Sequence, residues 1–168
     1  GLTSLNVWCL MSLDTSVLAG TDNGIFSTTD RGLNWVPRSA GLTSTSVRAL
    51  TRRGGTLMAG TTGGGTFVST NGGASWNSAK TGLGGTYVYS LLTVGTNIYA
   101  GVAVNGTLYR TTDDGQSWTG VYTGMDFYTV TYALAAGATH LYAGAQGLSV
   151  WRRPLAEVLV SVPSAPDD

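Results

Sequence analysis

Short hydrophobic runs alternate along the chain with turns rich in glycine, asparagine and aspartate. In the first forty residues these runs predict four strands, at Val7–Leu13, Ser16–Thr21, Gly24–Thr28 and 34–38. The intervening residues are of the types that favour tight turns between antiparallel strands: Asp14, Asp22-Asn23-Gly24 and Asp30-Arg31-Gly32. Because no segment shows the periodicity of an amphipathic helix, the pattern indicates an all-β protein.

The same order of features recurs four times, at spacings of 40 to 43 residues. Six residues after each repeat start there is a valine: Val7, Val47, Val88 and Val130. An Ala-Gly pair follows, beginning at Ala19, Ala59, Ala100 and Ala143, and then an aromatic residue, at Phe26, Phe67, Tyr109 and Trp151. We interpret the Ala-Gly pairs as small residues that let neighbouring sheets approach. A four-stranded unit of about 40 residues is typical of a β-propeller blade.

We therefore predict four blades, each a four-stranded antiparallel sheet, at 1–40, 41–81, 82–123 and 124–162, followed by a linker or tail at 163–168. The fourth blade is an atypical cap, because it reads Trp151-Arg152-Arg153-Pro154-Leu155 where the others carry a glycine turn. Pro154 suits a strand end, and residues 158–162 offer a last strand. A four-bladed ring, an open array and a part of a larger ring all remain open.

The strongest local motif is Ser/Thr-x-Asp/Asn-x-Gly-x-x-Trp, which occurs in the first three repeats. Its members are Thr28, Asp30, Gly32 and Trp35, then Ser69, Asn71, Gly73 and Trp76, then Thr111, Asp113, Gly115 and Trp118. The Asp or Asn oxygen can accept backbone N–H groups and close the turn, and glycine supplies a positive φ. The tryptophan is expected to be buried between its hairpin and a neighbouring blade.

These residues resemble the Asp-box, or BNR repeat, of sialidase-type propellers and of secreted bacterial repeat proteins. The resemblance implies a structural role for the boxes, ligands on the opposite face, and rings of six to eight blades. It also implies an extracytoplasmic location, whether secreted, periplasmic or at the cell surface. Asn71 replaces the acidic residue, which argues against calcium, so we expect neither a metal nor a cofactor. More distantly, the repeats resemble photosystem II assembly factors, whose task is protein docking.

Charge excludes several classes of partner. Nine basic residues balance nine acidic ones, so nothing indicates nucleic-acid binding, and no apolar run is long enough to insert into a membrane. Only 11% of the residues are charged, and Lys80 and Glu157 are the only lysine and glutamate. The chain begins at Gly1 rather than Met. We expect it to be a processed product or a piece of a longer chain.

Catalysis has little support in the sequence. A sialidase-like glycosidase, which the resemblance suggests as a remote alternative, needs several arginines, an acid and a Tyr–Glu pair. Here Glu157 lies in the expected last strand, and the adjacent Arg152 and Arg153 alternate between faces. The single cysteine and histidine, Cys9 and His140, lie in different repeats. We therefore predict no catalytic residue.

The sequence favours a scaffold for protein–protein interaction or assembly. Its partner is a protein, or a second copy that completes the ring. On the face opposite the boxes, Tyr87, Phe127 and Tyr128 are the candidate contact residues. A sugar-binding propeller is the alternative, for which Trp8 is the one indole not assigned to packing.

Overall fold

Four antiparallel sheets account for almost all regular structure. The computed structural model describes residues 1–103, 108–121, 129–147 and 149–159. The first sheet contains β1 (Val7–Leu13), β2 (Ser16–Thr21), β3 (Gly24–Thr28) and β4 (Val36–Pro37). The second contains β5 (Val47–Arg53), β6 (Thr56–Thr61), β7 (Gly65–Ser69) and β8 (Asn77–Ser78). The third contains β9 (Tyr87–Val94), β10 (Asn97–Ala103), β11 (Leu108–Thr111) and β12 (Thr119–Gly120).

The fourth sheet has three strands, β13 (Thr131–Ala136), β14 (His140–Ala145) and β15 (Ser149–Pro154), and it is followed by a short helix, α1 (Leu155–Val158). The first strands of consecutive sheets are neighbours, β1 with β5, β5 with β9 and β9 with β13. The sheets thus follow one another as the blades of a propeller, as the sequence predicts, and we number them blades 1 to 4.

Three of the four strands predicted for the first repeat match β1, β2 and β3 at both ends. The fourth is shorter than predicted, because only Val36 and Pro37 pair with β3. In blade 4 the sequence predicts a last strand that begins at Val158. This prediction is wrong for Val158, which is the last residue of α1. Residues 160–162 lie outside the described residues. Glu157 lies in α1 and not in the predicted strand. Its Oε2 is 3.6 Å from Nη1 of Arg153.

The Ala-Gly pairs bring neighbouring blades together. A Cβ on Gly20 would lie 2.9 Å from Cγ1 of Val47, and a Cβ on Gly60 would lie 2.6 Å from Cγ1 of Val88. At Gly101 the corresponding neighbour is Thr131, whose Cγ2 would lie at 2.8 Å. Each glycine therefore leaves a hole in the second strand of its blade. A side chain from the first strand of the next blade fills this hole.

This packing corrects the alignment of the fourth repeat by one residue. Thr131, not Val130, pairs with the second strand as Val7 and Val47 do, opposite Ala145. Thr131 is fully buried, like Val47 and Val88. The polar residue thus takes the place that valine has in the other blades.

The described residues form three hydrophobic core clusters, each of which lies between two adjacent blades. Leu18 and Ile25 of blade 1 pack with Leu57 and Trp76 of blade 2. Between blades 2 and 3 the cluster includes Met58, Ile98 and Trp118, and between blades 3 and 4 it includes Tyr99, Leu108, Leu141 and Val158. The core is therefore built from blade-to-blade contacts, as expected for a repeat array in which one sheet cannot bury its faces alone.

Candidate binding surfaces

The third turn of blades 1 to 3 is closed by side chains of the repeated motif; we call residues 28–35, 69–76 and 111–118 the box turns. In blade 1, Thr28 Oγ1 donates to Asp30 Oδ1 at 2.8 Å and accepts the backbone N–H of Gly32 at 2.9 Å. Asp30 Oδ1 also accepts the backbone N–H of Asn34, at 2.9 Å. The backbone φ of Gly32 is +89°, a conformation that favours glycine.

The other two box turns repeat these contacts with different chemistry. Asn71 Oδ1 accepts the hydroxyl of Ser69 and the N–H of Ser75, both at 2.9 Å. Asp113 Oδ1 accepts the hydroxyl of Thr111 at 2.7 Å and the N–H of Ser117 at 2.9 Å. An amide oxygen thus closes the same turn as a carboxylate, so the turn depends on an acceptor and not on a charge.

Hydrogen bonding lowers the pKa of both box aspartates. The backbone N–H of Asn34, the Asn34 side-chain amide and the Thr28 hydroxyl lower the pKa of Asp30 to about 2. At Asp113 burial raises the pKa, but the bonds from Ser117 and Thr111 outweigh it and bring the value to about 2. Both carboxylates are therefore stabilised in their charged form.

The box tryptophans join each blade to the one before it. Trp76 Nε1 donates to the carbonyl oxygen of Arg38 at 2.8 Å, and Trp118 Nε1 donates to that of Ala79 at 2.8 Å. Both indoles are buried. Trp35 is only partly buried and donates to no acceptor among the described residues, since no described blade lies against this side of blade 1. The predicted burial therefore holds for two of the three tryptophans.

In blade 4, α1 takes the place of a box tryptophan. Val158 is fully buried in the cluster between blades 3 and 4, where Trp76 and Trp118 lie in the earlier interfaces. Tyr99 Oη donates to the Val158 carbonyl oxygen at 3.1 Å, and Arg110 donates to the carbonyls of Val158 and Leu159. The last interface is thus sealed by a helix although its sheet lacks the box.

One side of blade 1, which we call the blade 1 open face, is uncovered. It includes Val7, Leu10, Val17 and Trp35. Leu10 and Val7 are 65% and 42% exposed, whereas the counterparts of Val7 in blades 2 to 4 are fully buried. A pocket of about 460 Å³ lies on this face, between Leu10, Val17 and Trp35.

The opposite side of blade 4, which we call the blade 4 open face, is also uncovered. It includes Tyr142, Gly144 and Val150. Their counterparts Tyr99, Gly101 and Leu108 in blade 3 are covered by blade 4, whereas Tyr142 and Val150 are 36% and 62% exposed. A Cβ on Gly144 would meet nothing closer than Ala133, at 3.5 Å, so its hole holds no neighbouring side chain.

A second candidate site is formed by bulges in the first strands. In each blade the pairing with the second strand skips one residue, which is Trp8, Arg48, Tyr89 or Tyr132. These four residues together line a pocket of about 310 Å³, which we call the bulge pocket. Bulges commonly redirect a side chain next to a functional site.

Polar contacts at the bulge pocket centre on Asp22, in the turn between β2 and β3. Its carboxylate accepts Trp8 Nε1 at 2.7 Å, Asn6 Nδ2 at 2.8 Å and the Ser46 hydroxyl at 3.0 Å. The bonds from Asn6 and Trp8 are the main reason that the Asp22 pKa is lowered.

The Arg48 guanidinium lies over the Trp8 ring, with Cζ 3.6 Å from its centroid. Tyr89 and Tyr132 meet edge to face at 5.1 Å.

Of the predicted contact residues, only Tyr87 is among the described residues; Phe127 and Tyr128 lie outside them. Tyr87 begins β9 and is 49% exposed, and it does not line the bulge pocket. Sequence reasoning singled out Trp8 but missed Arg48, Tyr89 and Tyr132. Their shared position, one residue after Val47, Val88 and Thr131, could have identified these three residues as equivalent to Trp8. Tyr132 was missed because the fourth repeat was aligned on Val130 in place of Thr131.

The described residues offer little that indicates a metal site or a membrane span. In the described ranges no group of three or more His, Cys, Asp or Glu side chains is placed to hold a metal ion. The helix that these residues form is too short and too polar to cross a membrane.

Comparison of structures places the chain among β-propellers. The extracellular domain of a putative one-component system from B. thetaiotaomicron matches with a TM-score of 0.74 and 19% identity, over 89% of this chain and 21% of that one. YCF48 bound to a D1 peptide matches with a TM-score of 0.62 and 16% identity, over 94% and 58%. The family 74 xyloglucanase of Xanthomonas campestris matches with a TM-score of 0.61 and 17% identity, over 90% and 30%.

These likenesses show the fold alone, since all the identities are low. The chain spans about a fifth of the length of the B. thetaiotaomicron domain. No family model matches the sequence, and no curated protein matches it. Because a binding domain and an enzyme share the fold, the site itself has to indicate the function.

Proposed function

We propose that this chain is a non-enzymatic Asp-box propeller scaffold that acts through protein–protein assembly, and that a second copy completes its ring. The observation that carries this proposal is the complementarity of the two open faces. A scaffold role is supported by the structural likeness to YCF48, which is described with a bound peptide. An extracytoplasmic location is supported by the likeness to the extracellular domain of a putative one-component system.

The open faces match each other position by position. Inside the chain, Val47 fills the hole at Gly20 and Val88 fills the hole at Gly60. Val7 occupies the corresponding position on the blade 1 open face, and Gly144 is the corresponding hole on the blade 4 open face. The blade 4 open face of one copy therefore offers to Val7 of another copy the environment that Gly20 offers to Val47.

The larger side chains of the two open faces also match. Leu57, the counterpart of Val17, is buried against Leu18, whose own counterpart on the blade 4 open face is Tyr142. Burying these apolar groups stabilises the contact by about 25 cal/mol for each Å² of apolar surface removed from water. Exposed apolar faces of this kind mark interaction sites. Two head-to-tail contacts related by a two-fold axis close a ring of eight blades.

The carboxylates support a structural rather than a catalytic role. Each acidic side chain among the described residues has a hydrogen bond or an ion pair that accounts for it. Asp14 pairs with Arg52 at 3.1 Å, Asp114 with Arg53 at 2.6 Å and Glu157 with Arg153 at 3.6 Å. Asp22, Asp30 and Asp113 accept the side-chain and backbone donors described above. A glycosidase needs two carboxylic acids facing one cleft.

The solution mass tests the assembly. Light scattering is expected to give twice the 17.3 kDa chain mass, with Trp35 shielded from a soluble fluorescence quencher. Gly144→Val should give the single-chain mass, because the new side chain fills the hole that Val7 needs. The chain itself tolerates this change, since the nearest atom to the Cβ is 3.5 Å away. Adding Val7→Gly to Gly144→Val should restore the doubled mass.

Gly55→Val is the matched control, because a Cβ there meets no described atom within 4 Å, and it should leave the doubled mass unchanged. A wild-type protein that keeps the single-chain mass at all concentrations would overturn completion by a second copy. Masses that grow without limit would show open head-to-tail chains in place of a closed ring.

The alternative function, sugar binding, has one observation in its favour, which is the partly exposed indole of Trp8 in the bulge pocket, 45% accessible. Aromatic faces commonly stack on sugar rings. A glycan array decides between the two functions: binding that is lost in Trp8→Ala but kept in Trp35→Ala would favour the lectin.

A further inference from the structure

The bulge pocket contains a cation whose hydrogen-bonding capacity is largely unused. Guanidinium groups have five N–H donors, yet Arg48 donates no hydrogen bond to any described residue, and its Nε is buried without a partner. Its ion-pair partner among the described residues is Asp22, at 3.9 Å, which is the outer limit for such a contact. The Arg48 side chain keeps 25% of its surface exposed.

Asp22 is poorly placed to neutralise Arg48, because three other groups already use it. Trp8, Asn6 and Ser46 all donate to its carboxylate at 3.0 Å or less. These shorter bonds hold Asp22 at the rim of the pocket and fix the indole of Trp8 beneath the guanidinium. The stacked indole orients the Arg48 plane by a cation–π contact and leaves the guanidinium without a hydrogen-bond partner among the described residues.

The remaining walls are aromatic and open to solvent. Tyr132 is 53% exposed and Trp8 is 45% exposed. Together with Arg48 and Tyr89 they line an open pocket of about 310 Å³, which is at the lower end of the volumes found for ligand pockets. The pocket thus combines one planar cation with apolar ring surface around it.

We infer that the bulge pocket binds a carboxylate carried by an acidic peptide segment, with the Asp or Glu side chain on Arg48 and a neighbouring apolar residue against the rings of Tyr89 and Tyr132. A planar guanidinium matches a carboxylate in a two-bond, fork-like geometry. This inference goes beyond the assembly proposed above and concerns different residues.

Two features favour a peptide over other anions. Asn6 and Ser46, the polar side chains beside Asp22, already donate to it, so they are not free to bind sugar hydroxyls. A phosphate-rich ligand such as nucleic acid requires several cations, whereas Arg48 is the one cation among the described residues that line the pocket.

The test uses an array of blocked twelve-residue peptides, each with a single Glu between apolar residues, and the matched peptides with Gln. Glu peptides are expected to bind the wild-type chain and to quench or shift its Trp8 fluorescence. The affinity of the Gln peptides is expected to be lower by about tenfold or more. Arg48→Met should lower the affinity for Glu peptides by about tenfold or more, and Arg48→Lys should retain part of it.

Arg38→Met is the matched control, because Arg38 is exposed after β4 and does not line the pocket, and the affinity of this variant should equal that of the wild type. Circular dichroism of each variant checks that the fold persists, and Arg48→Lys keeps the test valid if Arg48→Met unfolds. Gln peptides that bind as well as Glu peptides would overturn the inference. So would the absence of any Glu binder, or preferential, Arg48-dependent binding of uronic or sialic acid oligosaccharides.

The doubled mass and the peptide affinity are separate readouts. Gly144→Val should lose the first and keep the second, so that failure of one proposal is distinguishable from failure of the other.

Discussion

A Cβ built on Gly60 would lie only 2.6 Å from Cγ1 of Val88, so the contact between blades 2 and 3 depends on the absence of one methyl group. Gly60→Ala forces the two sheets apart, and we expect it to lower the free energy of unfolding by about 1–3 kcal/mol. Urea titration followed by tryptophan fluorescence measures the change. Gly55→Ala, whose added Cβ meets no described atom within 4 Å, should change stability much less. Equal effects of the two substitutions would contradict the close-packing argument.

The box tryptophans should differ in their contribution to stability. Trp76→Ala removes a buried indole and its 2.8 Å bond to Arg38, and we expect a loss of about 3–5 kcal/mol. Trp35→Ala, in the monomeric Gly144→Val background, should cost clearly less because Trp35 is only partly buried there. Denaturant unfolding of both variants in that same background provides the comparison. A larger loss for Trp35 than for Trp76 would show that blade 1 is covered in the single chain.

Acid should weaken the box turns of blades 1 and 3. The folded-state pKa of Asp30 and of Asp113 is about 2, below the ordinary value of 3.8. A depressed pKa means that the stabilisation is fully present above pH 3.8 and is lost as the pH falls toward 2. Carboxyl-carbon NMR titration of the two residues is expected to show midpoints near pH 2.

The second box turn supplies a natural control for this pH effect. Asn71 does not titrate, yet it makes the equivalent bonds to Ser69 and Ser75. Converting Asp30 and Asp113 to Asn should therefore keep the fold and flatten the dependence of stability on pH between about 4 and 2. An unchanged slope in the double variant would assign the acid sensitivity to other groups.

The single thiol should react slowly in the folded chain. Burial raises the pKa of Cys9 to about 11, against 9.0 for an ordinary thiol, and a hydrogen bond with the Gly20 backbone only partly opposes this. Since the thiolate is the reactive form, labelling at pH 8 should be roughly a hundredfold slower than in denaturant. Kinetics with a chromogenic thiol reagent measure the ratio. Comparable folded and unfolded rates would place Cys9 in a more open environment.

The sequence by itself determined the blade, because the information for a blade is local. Turn chemistry at Asp22-Asn23-Gly24 and Asp30-Arg31-Gly32 fixed the ends of β3, and the spacing of Ala19, Ala59, Ala100 and Ala143 fixed the repeat. Even the hydrogen bonds of Asp30 follow from its position four residues before Asn34.

Tertiary structure alone decided which side chains meet across blades. The bulge pocket is lined by residues about forty positions apart in the chain, which are Trp8, Arg48, Tyr89 and Tyr132. They share a pocket because each is the extra residue of a bulge. A bulge depends on how two strands pair and is not encoded in the residue type. The replacement of a box tryptophan by Val158 of α1 was likewise unpredictable, since only the cavity between blades 3 and 4 selects a helix there. Whether a face is covered depends on which blade lies next to it, and this contact between distant residues cannot be inferred from local sequence.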